Sequence, residues 1–169
     1  MGIIYFLHGT SGRPWGEKIE RLAAVAQKTG WRIESPDQRH IDSADARAAH
    51  LIDLVRQHDE PVVLVGTSMG AYACAVASTN CHPQGLFLLT PALHMPGYAQ
   101  AEPLPVSQHV HIVHGWQDEI VPINVVIDYA RRSQAGLTIV NTTHEVNSQI
   151  DLIVGIFAVF VAQSIINSR

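Results

Sequence analysis

Pro61-Val62-Val63-Leu64-Val65-Gly66-Thr67-Ser68-Met69-Gly70-Ala71-Tyr72-Ala73 is the stretch whose reading decides the rest of the chain. An apolar, β-branched run bounded by Pro and Gly reads as a buried strand, and the alanine-rich segment after Ser68 reads as a helix. Between them stands G-x-S-x-G. A chain that turns this sharply from strand to helix holds its middle residue in a strained conformation, and Gly66 and Gly70 avoid side-chain collisions two positions either side. The strain exposes the Ser68 hydroxyl at the tip of the turn. Ser68 also opens the helix, so unpaired backbone N–H groups and the positive end of the helix dipole lie beside any negative charge formed there. That is the setting of an acyl-transfer nucleophile. The bland alternative is a strand-to-helix connection with small residues for close packing.

Working outward, the chain alternates short apolar runs with amphipathic ones. Residues 2–7 read as a first strand ended by His8-Gly9-Thr10-Ser11-Gly12, and residues 17–28 as a helix closed by Gly30. Residues 31–34 are a second strand and residues 43–58 a second helix capped by Ser43. Further strands are expected at 62–65, 85–89, 110–113 and 137–140, and further helices at 68–78, 123–132 and 147–166. The strands are continuous apolar runs and do not alternate, which marks a sheet covered on both faces. Strands interleaved with helices imply a parallel sheet between helical layers. Residues 90–108, rich in Pro, Gly and Ala, forbid much regular structure, and a loop this long is usually functional or mobile.

At 169 residues the chain fits one domain, 1–169, and buries roughly 70% of the surface its unfolded form exposes. With 47% hydrophobic residues, 15% charged residues and a formal charge of −4, it has neither a disordered composition nor a basic face for nucleic acid. Cys74 and Cys81 form no metal-type spacing and are too far apart along a helix for a disulfide, which suggests reduced thiols and a cytoplasmic setting. The apolar start lacks a basic n-region, and the longest apolar run, 152–162, is shorter than the about 20 residues a bilayer needs.

In an open parallel sheet functional groups gather beyond the carboxyl ends of the strands. There stand Ser68 after the third strand, Asp118 after the fifth, His144 after the sixth, and the His8–Ser11 turn after the first. A serine hydroxyl needs an imidazole to take its proton, and the imidazole needs a carboxylate on its far nitrogen. His144 and Asp118 are the candidates, with Glu119 and the remoter Glu102 as rival carboxylates. An oxyanion would be held by the backbone N–H of Met69 and a second from the first turn, that of Thr10. Trp15, Leu93, Met95 and Tyr98 flank the site as candidate lining of an acyl pocket, against ordinary loop packing. His109-x-His111-x-x-His114 lacks a patterned acidic or Cys partner, so neither metal nor cofactor is expected.

Together these pieces resemble a compact α/β-hydrolase-fold serine hydrolase over essentially the whole sequence. The resemblance is carried by His8-Gly9, by Gly66-Thr67-Ser68-Met69-Gly70, by His114-Gly115-Trp116-Gln117-Asp118-Glu119-Ile120-Val121-Pro122, and by His144 after the last strand. It implies Ser68 as nucleophile, Asp118 as acid, His144 as base, and Thr10 and Met69 as the oxyanion hole. It implies the strand order 2-1-3-4-5-6, without the family's first two antiparallel strands. Where larger members insert a helical cap, this chain has only residues 90–108, so the site is expected open or under a flexible flap. The implied reaction is cleavage of a small ester or thioester through an acyl-enzyme. A silent binding protein of the same fold is the alternative, as is a peptidase, lactonase or perhydrolase using the same residues.

Overall fold

A computed structural model describes residues 2–166. Six strands, β1 (Ile3–Leu7), β2 (Arg32–Glu34), β3 (Val62–Thr67), β4 (Gly85–Leu89), β5 (Val110–Gly115) and β6 (Gly136–Val140), form one sheet in the order β2-β1-β3-β4-β5-β6. Every neighbouring pair is parallel. This is the expected order. Five α-helices follow the strands: α1 (Glu17–Lys28), α2 (Ala44–Val55), α3 (Met69–Cys81), α4 (Ile123–Arg132) and α5 (Ile150–Ile166), the last preceded by a 3₁₀ turn at Asn147–Gln149.

Side chains alternate across each strand, and the alternation sorts the core into two layers. Tyr5, Leu7, Leu64, Leu88 and Ile112 face α2, α3 and α4, where they meet Leu51, Ala73, Val126 and Tyr129. Ile4, Phe6, Val65, Phe87 and Val113 face α1 and α5, where they meet Leu22, Ile153, Phe157 and Phe160. Both faces being covered explains why the central strands are apolar throughout. Ser43 caps α2 by accepting the Ala46 N–H at 3.2 Å, as its place before the apolar periodicity implies.

Two expectations change. Residues 90–108 are not a free flap, because their backbone is fastened to three helices. Asp45 accepts from Ala99 N at 3.0 Å, the Tyr72 hydroxyl from Gln100 N at 3.2 Å and Ser78 Oγ from Val106 N at 2.9 Å, while the Tyr129 hydroxyl donates to Pro103 O at 2.7 Å. Glu102 pairs with both His94 and Arg132. Proline stops the segment from forming its own ladder, so it satisfies its backbone on neighbouring side chains instead.

The apolar segment at the end of the chain is also longer than its unbroken run suggests. A helix tolerates Asp151 in its first turn, and the window Asn147–Ser164 has a mean hydropathy of 1.3, long and apolar enough by length and composition to cross a membrane. In this fold Ile153, Phe157, Phe160 and Val161 of that helix bury against the sheet, while Leu152 and Val159 face outward.

Candidate active site

At the end of β3 the backbone of Ser68 takes φ 53° and ψ −116°, a conformation strained for a residue with a side chain. The Ser68 N–H donates to Leu89 O at 2.9 Å, fastening the turn to β4. The two glycines serve a purpose slightly different from that read in the sequence. A Cβ on Gly66 would lie 2.4 Å from Gly70 O, and one on Gly70 would lie 2.4 Å from Leu7 O and 2.8 Å from His8 O. The missing side chains therefore let α3 start against β3 and β1, and do not primarily clear space around Ser68. The Ser68 side chain makes no cap bond.

Three side chains from three loops meet beside this turn. Asp118, after β5, is fully buried at its side chain and accepts from Ile120 N at 2.8 Å and Val121 N at 2.9 Å through Oδ1. Its Oδ2 lies 2.7 Å from His144 Nδ1. A carboxylate can only accept, so His144 carries its proton on Nδ1 and leaves Nε2 as an acceptor. That Nε2 stands 2.9 Å from Ser68 Oγ. Burial pushes the Asp118 carboxyl up, but the hydrogen bonds from His144, Val121 and Ile120 outweigh it and hold it below the usual carboxylate range. The rival carboxylates are elsewhere: Glu119 is exposed, and Glu102 is engaged with His94 and Arg132.

His114 lies behind Asp118 and is completely buried. Its Nε2 is 2.9 Å from Val121 O, to which it donates, and 3.4 Å from Asp118 Oδ2. Burial pushes this imidazole below its ordinary value, and a neutral ring suits its unpartnered Nδ1. The three histidines of the H-x-H-x-x-H run go separate ways. His109 stacks on Phe160, His111 stacks on Phe87 and pairs with Thr138, and His114 turns to the acid loop.

The turn after β1 forms the opposite wall. A Cβ added to Gly9 would sit 3.3 Å from Ser68 Cβ and 4.0 Å from Ser68 Oγ, so the Gly9 backbone borders the hydroxyl. Thr10 follows it, with its own hydroxyl 3.8 Å from Met69 Sδ. Met69 is the first residue of α3, where backbone N–H groups have no partner within the helix.

A cavity of about 420 Å³ opens over Ser68 and His144. Met95 and Tyr98 line it, together with Ala92, Ile120 and Ile19. Trp15 and Leu93 do not. Leu93 is 1% exposed and packs into the α2–α4 layer, and Trp15, at φ 56°, is turned outward and 38% exposed. Loop sequence carries no period, so pattern cannot tell which of two neighbouring apolar side chains faces inward. The cavity also takes Arg13, Lys18 and Asn147, which the sequence did not single out. Lys18, in the first turn of α1, donates to Glu145 O at 2.6 Å and so ties α1 to the residue after His144.

Comparison with known proteins agrees with this architecture. Residues 4–141 match the model of the alpha/beta hydrolase family. A candidate hydrolase of the alpha/beta superfamily from Xanthomonas campestris pv. campestris is similar at 29% identity and a TM-score of 0.85, covering 96% of this chain and 99% of the other. A serine hydrolase without lid from Xanthomonas campestris gives 19% identity and a TM-score of 0.76 over 95% of this chain and 81% of the other. Est1E from Butyrivibrio proteoclasticus gives 16% identity and a TM-score of 0.77 over 97% and 88%. A search of curated protein sequences returned no significant match. With a family match over residues 4–141, most of its length, and a six-stranded parallel sheet, the chain belongs to the alpha/beta hydrolase family.

Proposed function

We propose that the protein is a serine hydrolase that cleaves a small carboxylic ester or thioester through an acyl-enzyme on Ser68. The observation that carries this reading is the unbroken relay from Ser68 Oγ to His144 Nε2 and from His144 Nδ1 to Asp118 Oδ2, at 2.9 and 2.7 Å. His144 takes the hydroxyl proton as Ser68 Oγ attacks the acyl carbon, and the imidazolium that forms is stabilised by the buried Asp118 carboxylate. The carbonyl oxygen becomes an oxyanion, received by the N–H groups of Met69 and Thr10. When the carbonyl re-forms, the bond to the leaving group breaks and His144 returns the proton to the departing oxygen or sulfur. Water, deprotonated by His144, then releases the acid and regenerates Ser68.

A cavity of about 420 Å³ suits a small acyl substrate. Its apolar wall of Ala92, Met95, Tyr98 and Ile120 faces a polar one of Arg13, Lys18 and Asn147. The chemistry calls for neither metal nor cofactor. A fluorophosphonate probe should label the wild type and not Ser68→Ala, and a chain-length series of nitrophenyl esters and acyl thioesters should show turnover with a size cut-off. Equal labelling of both proteins, or no turnover across the series by a folded protein, would refute the proposal.

A further inference from the structure

Arg47 is the one arginine recorded as buried among the described residues, 3% exposed, yet no carboxylate lies within ion-pair distance of it among them. An arginine is always charged, and burying that charge is costly unless its donors are occupied. Its partners are backbone carbonyls. Nε donates to Ile41 O at 2.8 Å, and Nη1 reaches His8 O and Gly9 O, each at 3.3 Å. Two of these three acceptors belong to the turn that borders Ser68.

Gly9 O is unusual in its own right. It accepts from His8 Nδ1 at 2.8 Å, from Gly12 N at 3.2 Å and from Arg47 Nη1 at 3.3 Å. His8 must be neutral with its proton on Nδ1, because its Nε2 accepts the Gln38 N–H at 3.2 Å. The Gly9 carbonyl shares one rigid plane with the Thr10 N–H, and in a trans peptide the two point in opposite directions. Holding the carbonyl against α2 therefore turns the N–H away from α2, and Gly9 and Thr10 both line the cavity over Ser68. Donors on a carbonyl also draw charge through the peptide and make the opposite N–H a stronger donor.

We propose that Arg47, assisted by His8, is a positioning residue that clamps and polarises the Gly9–Thr10 peptide so that the Thr10 N–H is preset for the oxyanion. This rests on the serine hydrolase reading, with Thr10 as one of two oxyanion donors. Arg47 acts through the peptide and does not touch substrate. A point charge would serve less well than the fork, since Nε and Nη1 are both in use on different loops.

Arg47→Gln and Arg47→Lys test it, the second keeping a cation in the buried space should the first fold poorly. Active sites are first counted by the burst of bound fluorophosphonate, so that misfolded protein is excluded. Turnover of an ester is then compared with the inhibition constant of a trifluoromethyl ketone, to whose carbonyl Ser68 adds, giving a tetrahedral alkoxide that occupies the oxyanion hole. Outright loss of one oxyanion donor lowers turnover about 10²–10³-fold, and a donor left in place but loosened should lower kcat per active site about tenfold to 10²-fold, with KM little changed. The ketone should weaken in proportion across both variants, and Lys should fall between Gln and wild type. Variants whose kcat per site and ketone affinity stay within about twofold of wild type would overturn the clamp while leaving Ser68 as nucleophile. A wild type that forms neither acyl-enzyme nor ketone adduct would overturn the underlying hydrolase reading, and the clamp with it.

Discussion

Asp118→Asn is the substitution for which the structure forces the outcome most tightly. Oδ1 receives two backbone N–H groups, from Ile120 and Val121, at 2.8 and 2.9 Å. An asparagine at this site must keep its carbonyl oxygen there, because its amide nitrogen would set donor against two donors. The NH₂ is thereby fixed in the place of Oδ2, facing His144 Nδ1, which now stands 2.7 Å from the carboxylate. The imidazole responds by moving its proton to Nε2 and presents an N–H, not a lone pair, to Ser68 Oγ. It cannot then accept the serine proton, and no carboxylate remains to stabilise an imidazolium. Turnover should fall by about 10⁴, or about 5 kcal/mol of transition-state stabilisation, with KM little affected. Ester hydrolysis by purified protein at saturating substrate reads this directly, with Glu119→Gln as the neighbouring control expected to match wild type. A loss of less than about tenfold in Asp118→Asn, or an equal loss in Glu119→Gln, would refute the assignment of the acid and the tautomer argument with it.

Other consequences are open to measurement. Burial holds His8 and His114 below their ordinary value, so as pH falls past about 6.5 the unfolded chain takes up protons that the folded one refuses. Stability is therefore full above that pH and lost below it, and urea midpoints should drop steadily from pH 7 to 5; a flat profile would contradict neutral buried imidazoles. A Cβ on Gly115 would stand 2.3 Å from Thr142 O and 2.7 Å from Thr143 O, both just ahead of His144. Gly115→Ala should push that loop outward and lower turnover up to about 10²-fold, which kinetics with a folded protein would check. Tyr129→Phe removes the donor to the buried Pro103 carbonyl and should destabilise the protein by about 1–3 kcal/mol in urea unfolding, while faster amide exchange at Val106 would report release of the segment.

How much of this was legible in the sequence follows from where each signal is stored. The Ser68 turn and the loops carrying Asp118 and His144 are local facts about apolar runs and their ends, and the parallel sheet converts them into one shared rim, whereas the strand order followed only from the family resemblance. The fastening of residues 90–108 was not legible, because its partners, Asp45, Tyr72, Ser78 and Tyr129, are ordinary helical residues whose role appears only when the helices are assembled. Arg47 falls between. Ala44, Arg47, Ala48, Leu51 and Val55 follow one another at helical spacing on the buried side of α2, so a charge on an apolar stripe was in plain view. A stripe reading counts the apolar members and passes over the exception.

That exception bears on how an uncapped site can be preorganised. Without a cap to press substrate into place, alignment has to come from the loops, and loops hold their shape only where their backbone groups are satisfied. Here each loop is fastened: the turn after β1 by Arg47, the acid loop by its own carboxylate and by His114 of β5, and the base loop by Lys18 through Glu145 O at 2.6 Å. Lys18 is mostly buried, and burial pushes its ammonium below the ordinary lysine value, so the contact is shielded from salt more than a surface pair would be. Lys18→Met should then lower kcat at every ionic strength with unchanged fluorophosphonate site count, whereas a loss confined to low salt would show that the lysine steers charge and does not hold the His144 loop.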